Sequence, residues 1–442
     1  MKKDSGPCTG DIPLIIVEGF LSTSGSVAWS PLRKYVGGYE KMLGDRKVMI
    51  ASVGPVSSLH DRACELYYTI KGGTVDYGAE HARQSGHKRY GRHHPTGLYP
   101  IWSPSNPLHF LGHSIGGATI MKLQHLLSIG FFGQNTHADM LLSVTTVSCP
   151  FRGTQIVYAL GERTDSAPAV RPFSIGSVLA KAVHVLSYIS PLLPKALDLH
   201  ADSRALSYQE CSLTSFLRHL WRSDWAEGRD ATPFDVTFEA ADERDANDEG
   251  LCNPNTYYTS YTAFFTNRVS SENGKHSPSL ANIRIPPLYF SARSIGSFNF
   301  ESLIPQPSFL PDYRTPLDDF ALVKLAKPGI VRYASQVADL SEHYWANDGV
   351  VPVFSQWHPR ECAETRCIHH ESSPASAPLP SPRLHQYPEK RLSEPGVWNV
   401  YTLEDSSHLS ILPLWVGSSC QQNFWSDLGY FLNNIDSQQL DV

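Results

Sequence analysis

The pentapeptide Gly112-His113-Ser114-Ile115-Gly116 constrains this chain more than any other feature, because of what flanks it. Before it, Leu108 to Leu111 is a short apolar run that reads as a buried strand. After it, Ile120, Leu123 and Leu127 recur on one face of a helix. Passing from strand to helix this quickly demands a sharp turn, and the flanking glycines remove Cβ atoms that would clash within it. Ser114 stands at the tip, with the Ile115 N–H at a helix N-terminus that favours negative charge. An exposed hydroxyl backed by a backbone donor suits acyl transfer, so we expect Ser114 as nucleophile and Ile115 as one oxyanion donor.

The rest of the chain alternates in the same rhythm. Pro13 to Val17, Lys47 to Ser52 and Leu141 to Val147 read as strands, with later candidates at Pro287 to Ser291 and Trp398 to Thr402. Asp61 to Lys71 places Ala63, Leu66, Tyr67 and Ile70 at helical spacing, and Gly72-Gly73 ends it. Strands alternating with helices predict the α/β class, with a mostly parallel sheet covered on both faces. Together with the serine turn, this is the α/β-hydrolase fold. In that fold the second oxyanion donor comes from the loop after the first strand, here Glu18-Gly19-Phe20, with the Phe20 N–H as candidate. The acid and the histidine follow the serine in that order. Asp348, in a turn before the apolar Val350-Val351, is the expected acid. His408, on a polar loop after a strand, is the expected base; His385 and His369-His370 compete but flank a Pro/Ser-rich stretch.

At 442 residues the chain can bury a large core. Its net charge of −6 and lack of a long basic run give no reason to expect a nucleic-acid partner. There is no uninterrupted apolar run long enough to span a bilayer, so no transmembrane segment is expected. Two lysines open the N-terminus without a signal-length apolar stretch behind them, which favours an intracellular location. The eight cysteines are scattered and do not make a disulfide scaffold. Val178 to Ile189 is apolar and is interrupted afterwards by Pro191 and Pro194; it reads as a mobile cover or as a plain core helix. Ser372 to Pro382 is Pro/Ser/Ala-rich and reads as an exposed loop. Cys362 and Cys367 with His369-His370 superficially suggest a second metal, but beside that loop we do not expect one.

In order along the chain stand Val53-Gly54-Pro55-Val56-Ser57-Ser58, Asp61-Arg62-Ala63-Cys64-Glu65 and Gly72-Gly73-Thr74-Val75-Asp76-Tyr77-Gly78. His81, His87, Arg89-Tyr90-Gly91, the serine turn, Pro254-Asn255-Thr256-Tyr257-Tyr258, Asn347-Asp348-Gly349-Val350 and Gly396-Val397-Trp398 follow. In these blocks the chain resembles the lipase family that joins the staphylococcal and thermoalkalophilic Bacillus-type lipases. The resemblance implies a triad of Ser114, Asp348 and His408, with oxyanion donors Phe20 and Ile115. It also implies a zinc ion held by Asp61, His81, His87 and Asp235. Four protein ligands leave no open position, so such a zinc is structural. His81 and His87 are six residues apart, which puts them on different faces of one straight helix, so Gly86 has to break it. The chain departs from the family at Glu18, where a histidine is usual, and at Cys149-Pro150-Phe151-Arg152. A calcium site is not expected, because Ser410, Ile411, Pro413 and Trp415 stand where the family carries acidic ligands.

The expected organisation is a tail over residues 1–10 and a catalytic domain over 11–442. A cap and zinc insertion is expected at about 168–267 and a Pro/Ser-rich loop at about 372–383. The resemblance implies hydrolysis of carboxylic esters, acylglycerols foremost, with a lipid interface as one setting. The alternatives are a short-chain carboxylesterase and a lipid-binding pseudoenzyme, the latter suggested by Glu18.

Overall fold

The computed structural model describes residues 11–20, 46–194, 197–223, 225–269, 275–279, 286–308, 340–370, 393–412 and 419–440. The expected tail and the Pro/Ser-rich loop lie outside these residues. The strands are β1 (Leu14–Val17), β2 (Val48–Ala51), β3 (Gly73–Asp76), β4 (Tyr90–His94), β5 (Leu108–His113) and β6 (Leu141–Val147). They continue with β7 (Tyr257–Ala263), β8 (Thr266–Arg268), β9 (His276–Pro278), β10 (Cys367–His370) and β11 (Trp398–Leu403). Seven of them form one sheet in the order β10-β11-β7-β6-β5-β1-β2, and every neighbouring pair is parallel. The fold is the α/β-hydrolase type expected from the sequence.

The helices used below are α1 (Leu59–Lys71), α2 (Ala79–Ser85), α3 (Ile115–Ser128), α4 (Ile175–Tyr188), α5 (Leu213–Trp221), α6 (Pro286–Gly296), α7 (Val353–Gln356) and α8 (Ser419–Leu440). A parallel sheet must be covered on both faces, and the alternation of side chains along β1 shows how. Ile15 and Val17 join the core built with Leu66 of α1 and Ile120 and Leu123 of α3. Leu14 and Ile16 join the opposite core, with Phe424, Trp425, Leu428 and Leu432 of α8. Strand order reverses between β1 and β5, because β2 lies outside β1 whereas β6 and the later strands lie beyond β5. The carboxyl ends of β1 and β5 flank this switch point, where open α/β sheets bind their ligands.

Two expectations about elements are corrected. Pro287 to Ser291 lies inside α6, not in a strand. Proline has no N–H to lose in the first turn of a helix, and Tyr289, Ala292 and Ile295 are buried at helical spacing. Residues 257–263, within the expected insertion, form β7 in the middle of the sheet. Its Thr and Ser residues hide its burial in the sequence, yet Ser260 Oγ donates to the Trp357 carbonyl at 2.6 Å. The apolar stretch around Val178 forms α4, which packs on α5 and buries Val183 in a small separate core with Val56 and Ala231. Its other side leaves Val178 and Val185 exposed, so it is not a core helix. No described helix is long and apolar enough to cross a membrane.

Candidate active site

Ser114 sits between β5 and α3 with φ 55° and ψ −135°, a left-handed conformation that is strained for a residue with a Cβ. Close approach on both sides requires glycine. A Cβ on Gly116 would lie 2.2 Å from the Val17 carbonyl oxygen, and one on Gly19 would lie 2.8 Å from Ser114 Cβ. The loop after β1 therefore runs directly against the serine, with Phe20 following Gly19 and Ile115 opening α3 on the other side.

The structure brings Asp348 and His408 together. Asp348 is fully buried, and its Oδ1 accepts hydrogen bonds from the N–H groups of Val350 (2.9 Å) and Val351 (2.7 Å). Its Oδ2 faces His408 Nδ1 at 2.8 Å. A carboxylate held in this way fixes the Nδ1–H tautomer and leaves Nε2 as the acceptor. His113, the residue before Ser114, joins this pair to the serine turn: its Nε2 donates to the His408 carbonyl at 2.8 Å. Burial, reinforced by the neighbouring His408, pushes the His113 pKa down to about 3, so this imidazole remains a neutral strut. Nothing in the sequence around the serine turn assigns His113 a role.

Arg62 was equally silent in the sequence. It is fully buried, and its guanidinium donates to the Glu18 carbonyl (2.5 Å), the Gly54 carbonyl (2.7 Å) and Thr119 Oγ1 (2.9 Å). Thr119 Oγ1 in turn donates to the Ile115 carbonyl at 2.9 Å. One side chain thus braces the segments carrying both expected oxyanion donors. Burial lowers the Arg62 pKa to about 10 against the opposing charges of Glu65, Glu18 and Asp235, which leaves it a cation at neutral pH. The negative charge introduced by Glu18 therefore stands beside a buried positive one.

A second constellation forms where α1, α2 and the segment carrying Asp230 meet. Asp61, in the first turn of α1, faces His81 Nε2 at 3.1 Å, and Gly86 ends α2 at φ 70° so that His87 turns back toward the same point. The second carboxylate is Asp230, not the expected Asp235. Asp230 lies 3.2 Å from His81 Nε2 and 3.5 Å from His87 Nε2. Asp235 is instead occupied at the start of α1, where its Oδ2 accepts the Leu59 N–H at 2.7 Å and burial pushes its pKa up to about 7. The ligand atoms of Asp61, His81, His87 and Asp230 all lie within 4.8 Å of one another. His87 Nδ1 donates to the Lys88 carbonyl at 2.8 Å, which points a bare, buried Nε2 at two carboxylates with no hydrogen-bond partner. Burial opposes a charge on His81, but Asp230 and Asp61 outweigh it and raise its pKa to about 9. The Arg204 guanidinium also donates to both carboxylates, at 2.6 Å to Asp61 Oδ2, and the two carboxylates and two imidazoles are a donor set that fits zinc.

Residues 10–297 match the family described as lipase-like, C-terminal domain. That is well over half of the chain. The chain belongs to this lipase-like family. A lipase of Staphylococcus hyicus is 31% identical over 287 residues, which cover 60% of this chain and 42% of that protein. The lipase-like chain therefore spans less than half the length of this relative. Its fold is similar to the crystal structure of the Staphylococcus hyicus lipase, with a TM-score of 0.68 at 22% identity, covering 99% of this chain and 100% of that one. EstA from Clostridium botulinum superposes with a TM-score of 0.64 at 26% identity, covering 96% and 88%.

The lipase-like chain holds one more cluster. Cys362, Cys367 and His369, not expected from sequence to hold a metal, converge with His358, which is fully buried. His370, the neighbour that sequence grouped with them, points elsewhere: it stacks on Tyr401 and its Nε2 meets Asn399 Oδ1 at 3.1 Å.

Proposed function

We propose that the chain is a serine carboxylic ester hydrolase acting on acylglycerols. The observation that carries this reading is the strained Ser114 turn joined through His113 to a buried Asp348–His408 pair. Ser114 Oγ attacks the ester carbonyl carbon while His408 Nε2 takes its proton. The backbone N–H groups of Phe20 and Ile115 hold the oxyanion, and Asp348 stabilises the imidazolium. His408 returns the proton to the leaving alkoxide, and water then releases the acid by the same route.

A lipid-facing role for the insertion is supported by exposed apolar side chains on neighbouring helices. These are Ile175 and Val178 on α4 and Leu213, Leu217 and Trp221 on α5. Such a surface suits contact with an ester interface. Zinc bound by Asp61, His81, His87 and Asp230 would join the insertion to α1 and α2. It would supply stability and no open position for chemistry.

A fluorophosphonate probe tests the nucleophile: covalent mass should appear on Ser114 and not on the Ser114→Ala variant. Comparing emulsified triglyceride with a chain-length series of p-nitrophenyl esters tests the substrate class. Activity confined to soluble short esters would replace the lipase reading with a carboxylesterase. A well-folded chain that neither labels nor turns over any ester would be the lipid-binding protein.

A further inference from the structure

We propose that His358, Cys362, Cys367 and His369 form a second, structural zinc site of the Cys2His2 type. The ligands come from two pieces of chain. His358 and Cys362 lie on the loop that follows α7, whereas Cys367 and His369 alternate along the edge strand β10 and so share one face of it. The four ligand atoms all lie within 4.8 Å of one another.

The distances are also those that a shared metal would impose. Cys362 Sγ lies 3.5 Å from both His358 Nε2 and His369 Nε2. Zinc bonds of about 2.3 Å to sulfur and about 2.0–2.1 Å to nitrogen, at the tetrahedral angle, separate sulfur from nitrogen by about 3.5–3.6 Å. The imidazole of His358 is also set in the required tautomer. Its Nδ1 donates to the Arg360 carbonyl at 2.7 Å, which leaves the Nε2 lone pair directed at the cluster. The loop is anchored on its outer side by Arg360, which pairs with Asp245 (3.0 Å), Asp248 (2.9 Å) and Glu364 (2.7 Å). Thiolate with imidazole in a closed four-ligand set selects zinc over hard divalent cations.

The site would act as a staple. It ties the sheet edge to the segment that continues from Asp348 through Val351 and α7 to Trp357. Its ligands share no residue with the Asp61 cluster, whose donor set contains no sulfur.

That difference makes the test specific. Cobalt exchanged into the purified full-length chain should give a near-ultraviolet thiolate-to-cobalt charge-transfer band and the intense visible bands of a tetrahedral site. The Asp61→Ala variant should keep the thiolate band, and Cys362→Ser/Cys367→Ser should lose it. Should that double variant fail to fold, a mercurial that modifies thiols should abolish the band in the wild-type chain. Absence of the band from wild-type chain with both thiols reduced would overturn the site, as would recovery of a Cys362–Cys367 disulfide from freshly purified protein.

Discussion

His408 is joined to Asp348 twice: its Nδ1 faces Oδ2 at 2.8 Å, and its backbone N–H donates to the Asp348 carbonyl at 2.9 Å. The second bond sets the loop and the first sets the tautomer, so the two can be separated by mutation. Asp348→Asn keeps the backbone bond and an oxygen for the Val350 and Val351 N–H groups, but it no longer enforces Nδ1–H. We expect kcat to fall roughly 10⁴-fold, as for the equivalent change in a serine triad, with the thermal midpoint little changed. A loss of less than tenfold, measured with a soluble ester, would remove Asp348 from the chemistry.

His113 acts through His408, so its removal should damage positioning rather than binding. His113→Ala leaves the His408 carbonyl without its buried donor, a deficit of about 1–3 kcal/mol, or roughly 5–150-fold in kcat. KM should stay nearly constant, and His113→Gln, which can still donate, should recover part of the loss. Equal losses in the alanine and glutamine variants would show that the bond does not matter.

Asp230 and Asp235 should separate cleanly in metal content. Asp230→Asn should reduce zinc bound at the Asp61 cluster and lower the thermal midpoint, as chelation should. Asp235→Asn should retain the metal, because its Oδ2 serves the Leu59 N–H and an amide oxygen can replace it. Inductively coupled plasma measurement on both variants decides between the two carboxylates. Metal lost only from the Asp235 variant would reverse the assignment.

Glu162 provides a pH test. It is buried, its Oε1 has no hydrogen-bond partner, and burial assisted by the charge of Glu239 raises its pKa from 4.5 to about 8. The folded chain then holds this proton more tightly than the unfolded chain, so the group loses stability as pH rises from about 4.5 to 8. Glu162→Gln should therefore be nearly neutral at pH 4.5 and stabilising at pH 9, by roughly 1–3 kcal/mol. Urea melts at both values check the sign. A variant less stable than wild type at the higher pH would contradict it.

The serine turn was legible because its signal is local. An apolar strand, two glycines and an amphipathic helix occupy one short stretch, and backbone sterics require them there. Asp348 and His408 were legible for a related reason: each sits on a polar turn beside a strand, and the fold prescribes their order. His113 and Arg62 gave no such signal, because each acts on a backbone carbonyl contributed by a distant loop.

The sequence by itself determined the α/β class and the serine turn through short-range pattern, whereas Asp61, His81 and His87 stood out only through the family resemblance. Tertiary structure alone decided between Asp230 and Asp235, close neighbours in sequence of which one faces the histidines and the other receives the α1 N-terminus. It alone gathered His358, Cys362, Cys367 and His369 from a loop and an edge strand. The physical reason is common to both cases. Ligand direction depends on where the backbone turns and what neighbouring elements already occupy, and neither is carried by residue type or spacing.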